Sequence, residues 1–137
     1  MIERNIYNKG QLIVTSVSGE VKSQEVIDHV FWLIDSHNIG EIQPSYNQVV
    51  YVNDIESLNV QKEDVQRITE ISTGLGQGRG KFRTAIIAVE ATEIDLANFY
   101  KSLMKDSGIE AEVCSNFEEA FSWLGCVNPD PDKYRQM

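Results

Sequence analysis

Apolar and polar residues alternate from Ile2 to Tyr7, pause at Asn8-Lys9-Gly10, and alternate again from Gln11 to Ser18. Two period-two runs around a turn-forming tripeptide predict a β-hairpin, closed by Gly19. The period then changes. Val26, Ile27, Val30, Phe31, Leu33 and Ile34 recur at three and four residues after Ser23, a good N-cap, and predict a helix. Those six side chains cover an arc of roughly 160°, the width expected of a helix lying on a sheet. Trp32 points almost directly away from that arc.

After a connection from Asn38 to Asn47, Gln48 to Val52 forms a near-continuous apolar run, as in a strand buried on both faces. Asn53-Asp54-Ile55-Glu56 ends it. A second helix is predicted from Gln61 to Thr73, with Val65, Ile68, Ile71 and Leu75 inward and Glu63 and Asp64 suiting its positive end. Thr84 to Val89 reads as another buried strand. Thr92 is a candidate cap for a third helix, Glu93 to Lys105, with Leu96, Ala97, Phe99, Tyr100, Leu103 and Met104 inward and Gly108 as its stop. Ile109 to Cys114 alternates like a strand with one wet face. Ser115-Asn116 caps a last helix, with Phe117, Ala120, Phe121 and Leu124 inward and Gly125 at its end. The order β-β-α-β-α-β-α-β-α predicts one α/β domain, residues 1–125, built on a mixed sheet with right-handed crossovers. The remaining residues, 126–137, contain Pro129 and Pro131 and are expected to form a mobile tail.

Composition narrows the function classes. Twelve basic against 21 acidic residues leave a net charge of -9, a field that repels phosphate backbones and anionic lipid surfaces. No nucleic-acid partner is expected. With 42% hydrophobic residues the chain can bury one continuous core, yet no window approaches a membrane span. The N-terminus lacks the basic start and apolar run of a signal peptide, and Cys114 and Cys126 form neither a disulfide framework nor a zinc pattern. A reduced, cytoplasmic protein is the expectation.

The segment STGLGQGRGKF places Gly74, Gly76, Gly78 and Gly80 at alternate positions. Phosphate-binding glycine loops run from a strand into a helix, so that amides and the helix N-terminus converge on the anion. This segment leaves a helix C-terminus and enters a strand, and it lacks the Lys-Ser/Thr ending of a P-loop. It reads as a pliable connection, and as a hinge if the preceding helix moves. His29 and His37, eight apart on one helix, lack partners at metal-ligand spacing. No Ser-His-Asp set or GxSxG elbow is present. The chain is therefore expected to have no catalytic residues, metal or cofactor.

The second half resembles a known family. Asn53-Asp54-Ile55-Glu56-Ser57-Leu58-Asn59-Val60, the strand TAIIAVE, Asp95-Leu96-Ala97-Asn98-Phe99-Tyr100 and the closing SGIEAEVCSNFEEAFSWLG are similar to the SpoIIAA-like proteins, small bacterial proteins of STAS fold. Gly108 to Leu124 is the most specific part. The resemblance implies a mixed sheet of four to five strands, about four helices packed mainly on one face, and a non-enzymatic role in regulatory protein–protein interaction. Such switches use a phosphorylatable serine where Gln61, Lys62 and Glu63 stand here, so no hydroxyl occupies that position. The same architecture resembles CRAL-TRIO lipid-binding domains in outline.

Two functional readings follow. The first is an interaction module, with Trp32, Gln61, Lys62 and Glu63 as partner or homodimer surface, since an outward Trp is costly to leave wet. The second is a binding protein for a small apolar ligand or lipid held between the second and third helices. Its pocket would be walled by Val65, Ile68, Leu75, Phe99, Tyr100, Leu103 and Met104, with peripheral membrane contact as a further option.

Overall fold

The structure, a computed structural model, describes residues 1–74, 82–105 and 109–135. Among these, five strands and four helices follow the predicted order: β1 (Ile2–Tyr7), β2 (Leu12–Lys22), α1 (Ser23–Asn38), β3 (Asn47–Asn59), α2 (Lys62–Gly74), β4 (Arg83–Ile87), α3 (Ala91–Met104), β5 (Glu110–Cys114) and α4 (Phe117–Leu124). The strands lie in sequence order, β1-β2-β3-β4-β5. The first pair is antiparallel and the others are parallel. The hairpin turn is a single 3-10 turn, Asn8–Gly10. Its three residues all adopt positive φ. Gly10 is required there, because a Cβ would strike the backbone carbonyl of Glu41.

Three crossovers between successive parallel strands place α1, α2 and α3 on one face of the sheet. The short α4, which follows the last strand, covers the opposite face. Leu12, Val14, Val49, Ala85, Ile87 and Cys114 turn toward α4, where Phe117, Ala120, Phe121 and Leu124 meet them. The alternate residues of the same strands, among them Ile13, Thr15, Gln48, Val50, Thr84 and Ile86, face α1, α2 and α3. Asn116 caps α4 as expected, its Oδ1 accepting from the Glu119 amide at 2.8 Å, and Gly125 ends the helix at φ 70°. Asn116→Ala should cost about 1 kcal/mol in urea unfolding. An unchanged midpoint would assign the cap to Ser115, whose Oγ donates to Glu119 Oε2 at 2.7 Å.

Several boundaries differ from expectation. Gly19 does not close β2. At φ 72° it forms a bulge, the pairing register shifts on both sides of it, and β2 continues to Lys22. Asn53 to Glu56 likewise does not end β3. Asp54 turns through φ 49° and the strand runs on to Asn59 beside the extended β2. Helix α1 is capped one residue earlier than Ser23, with the Lys22 amide donating to Glu25 Oε1 at 3.4 Å. Helix α3 starts at Ala91 after Glu90, so Thr92 is helical and caps nothing. Phe31, placed on the inner arc of α1, is exposed, while His29 and Ser36 are buried.

The tail is docked, which corrects the expectation of mobility. Tyr134 is 6% exposed and packs beside Phe117 and Phe121. Its hydroxyl lies 2.8 Å from that of Tyr7. Asn128 Nδ2 donates to the Tyr134 carbonyl at 2.9 Å. An aromatic side chain of this size buries enough apolar surface to offset the ordering of a short segment.

Candidate functional site

A cavity of about 200 Å³ separates the sheet from α1, α2 and α3. Strand β2 contributes Thr15, Val17 and Val21, β3 contributes Gln48, Val50, Val52 and Leu58, and β4 contributes Thr84 and Ile86. The helices close it with His29, Val30 and Leu33 from α1, Val65 and Ile68 from α2, and Leu96, Ala97 and Tyr100 from α3. Val50 and Val52 lie on the central strand and Ile86 on its neighbour, yet all three are only half-buried, because their side chains look into this space. The bulge at Gly19 helps shape it. By continuing past the bulge, β2 and β3 carry Val21 and Leu58 over the starts of α1 and α3. Partly exposed Ile2, Leu58 and Glu93 mark the rim. The carboxyl of Glu93 titrates higher than an ordinary glutamate, through partial burial first and the charge of Glu90 second.

The lining is apolar except at one end. There, the strand register brings polar side chains together. Gln48 and Thr84 are direct partners across β3 and β4, and Thr15 lies one row along on β2. His29 descends onto them from α1. The hydrogen bonds define its tautomer. Arg4 Nε can only donate, so His29 Nδ1, 2.9 Å away, must accept. The ring proton therefore sits on Nε2, which donates to Gln48 Oε1 at 2.8 Å. Thr15 Oγ1 donates to the same oxygen at 3.2 Å. Burial pushes the His29 pKa down to about 4, against the opposing hydrogen bond to Gln48 and with a smaller contribution from the charge of Arg4. The imidazole is neutral at pH 7.

Thr84 breaks the pattern of satisfied groups. It is 2% exposed, lines the cavity, and its Oγ1 has no hydrogen-bond partner among the described residues. A buried hydroxyl without a partner costs about 1–3 kcal/mol, so its retention needs a reason.

The expected pocket residues divide. Val65, Ile68 and Tyr100 line the cavity. Phe99 and Leu103 are half-buried and pack with Val21, Val60 and Val65 beside it, and Met104 is fully buried. Leu75 lies outside the described residues, as do Gly76, Gly78 and Gly80 of the expected hinge; Gly74 ends α2. The space lies between helices and sheet, with α1 as a third wall, and is not confined to the gap between α2 and α3.

Trp32 does not stand free on the far side of α1, as its place in the helix period suggests. It packs against the cluster that includes Leu33, Ile42 and Tyr46. Its ring stacks on His29 at 5.8 Å, and the Arg4 guanidinium covers it at 4.8 Å. Gln61, Lys62 and Glu63 are exposed at the start of α2. The Gln61 amide donates to Asp64 Oδ2 at 2.8 Å, and Lys62 Nζ sits 5.4 Å from the Phe99 ring. Sequence reasoning missed His29, Thr15, Gln48, Thr84 and Arg4 as site residues. The available signal was one polar residue, Thr15, Gln48 or Thr84, in alternation with apolar residues on the helix-facing side of each of three strands, with a histidine on the inner face of the helix that follows the hairpin.

Among the described residues, no group of three or more His, Cys, Asp or Glu side chains stands close enough to hold a metal ion. No helix there is long and apolar enough to cross a membrane. No protein-family model matches the sequence. No curated protein matches it either. Among solved structures the chain is similar to an uncharacterised protein of the DUF3478 family, with a SpoIIAA-like fold, from Shewanella loihica PV-4. The two share 14% identity and superpose with a TM-score of 0.56, over 90% of this chain and 92% of that one. At that identity the likeness establishes architecture. The protein has a SpoIIAA-like α/β fold, as the sequence resemblance implied.

Proposed function

We propose that this protein is a non-catalytic binding protein for a small, mainly apolar molecule held between the sheet and helices α1 to α3. The observation that supports this is the cavity itself. A domain that packed only for stability would fill the space beside Val50, Val52 and Ile86, since interiors reach crystal-like density and voids are destabilising. At about 200 Å³ the space exceeds the roughly 150 Å³ that accommodates a benzene in an engineered apolar cavity, and falls below the ~300–1,000 Å³ typical of drug-sized ligands. A few polar groups converging at one end of an apolar space is the usual composition of a ligand site.

The interaction-module reading draws on the fold alone. Of the surface it named, Trp32 is engaged by His29 and Arg4, and Lys62 leans on Phe99. Native mass spectrometry of freshly purified protein, followed by organic extraction, tests the ligand reading. The expected result is a discrete added mass that passes into the solvent phase and is much reduced in Val50→Phe, whose larger side chain reaches into the cavity. A folded wild-type protein that carries no adduct and takes up neither benzene nor acetophenone when titrated would overturn it.

A further inference from the structure

The polar end of the cavity has a definite donor and acceptor balance, and this limits what the proposed site can hold. The hydrogen-bond chain runs in one direction. Arg4 donates to His29 Nδ1, and His29 Nε2 donates to Gln48 Oε1. Thr15 also donates to Gln48 Oε1, so that oxygen already accepts two hydrogen bonds. Those donors fix which way the amide points, and its Nε2 makes no hydrogen bond among the described residues. Directly across the strand pair stands the buried hydroxyl of Thr84, also without a partner among the described residues. Two donor groups with no partner among the described residues, the Gln48 amide N–H and the Thr84 hydroxyl, therefore sit on neighbouring strands at one end of an apolar space.

We infer, building on the binding function proposed above, that the cavity selects an uncharged molecule of about single-ring size carrying one carbonyl-type oxygen, which accepts from Gln48 Nε2 and Thr84 Oγ1. A cationic head is disfavoured because the amide presents protons and the Arg4 charge lies behind His29. An anionic head is disfavoured for a different reason. A fixed carboxylate would need a charged partner once desolvated, and Arg4 is held by His29 Nδ1 and the Trp32 ring. A ketone, ester or amide oxygen meets both donors and carries no charge to desolvate.

Three probes of similar size test this by titration into the wild-type protein and Thr84→Val: acetophenone, isopropylbenzene and benzoate. Removing the hydroxyl while keeping the side-chain shape should weaken acetophenone about tenfold and leave isopropylbenzene unchanged. Isopropylbenzene binding reports that the variant is folded; should Thr84→Val not fold, Thr84→Ala also removes the hydroxyl without disturbing the hydrogen bonds of Gln48, and acetophenone is again read against isopropylbenzene. Equal changes for the two probes, or benzoate binding more tightly than acetophenone, would overturn the carbonyl specificity while leaving the binding function in place. Failure of all three to bind a folded wild-type protein that carries no adduct would overturn both.

Discussion

Between pH 7 and pH 4 the wild-type protein is expected to lose about 3 kcal/mol more stability than His29→Gln. The sign follows from burial. Folded His29 holds a pKa of about 4, whereas an exposed histidine titrates at 6.5. Above 6.5 neither state binds the proton. As pH falls through this window, the unfolded chain takes up a proton that the folded chain refuses, so stability declines. Below about 4 both states are protonated and the loss levels off. Protonation would also convert Nδ1 from an acceptor into a donor facing Arg4 Nε, so the chain from Arg4 to Gln48 cannot persist in the charged form. Urea unfolding of both proteins at several pH values across this range measures the difference. The many carboxylates titrate in both alike and cancel in the comparison. Parallel stability curves would mean that His29 is hydrated and outside the buried network.

Tyr134→Ala is expected to destabilise the domain by about 3–5 kcal/mol, the range for removing a large aromatic side chain from a core. The residue belongs to a segment after the last helix, yet its ring contacts Phe117 and Phe121. Tyr134→Phe keeps those ring contacts and removes only the hydroxyl bonded to Tyr7, so its cost should be about 1 kcal/mol. Truncation after Cys126 should cost at least as much as the alanine substitution. Thermal or urea unfolding of the three variants checks the ordering. A tail that merely rests on the surface would give near-wild-type values for all of them.

Much of the fold was legible because burial leaves a period in the sequence. The hairpin, the three parallel crossovers and α4 with its Asn116 cap all follow from alternation, three-and-four spacing and capping residues. The elements that flank the glycine-rich segment are those its neighbours predict, since α2 ends at Gly74 and β4 begins at Arg83. Errors arose where a local signal has two meanings. Gly19 and Asp54 look like strand ends, because positive φ usually marks a turn, but a bulge uses the same conformation and lets pairing resume. Trp32 looks unpartnered within its own helix, and no helical period can reveal that Arg4, from the edge strand, covers its ring.

The sequence by itself determined which segments are strands and helices, their order, the mixed direction of the sheet and most inward faces, because each depends on residues close together in the chain. Only the tertiary structure decided the site. Thr15, Gln48 and Thr84 are the polar residues that three separate strands turn into the cavity. They become neighbours through the pairing of β2 with β3 and of β3 with β4. A shift of one residue in either pairing would turn one of them to the opposite face. The tail was decided the same way: Tyr134 reaches its place through contacts with Tyr7 and Phe117, residues distant in sequence whose positions are set only once the sheet and α4 have formed.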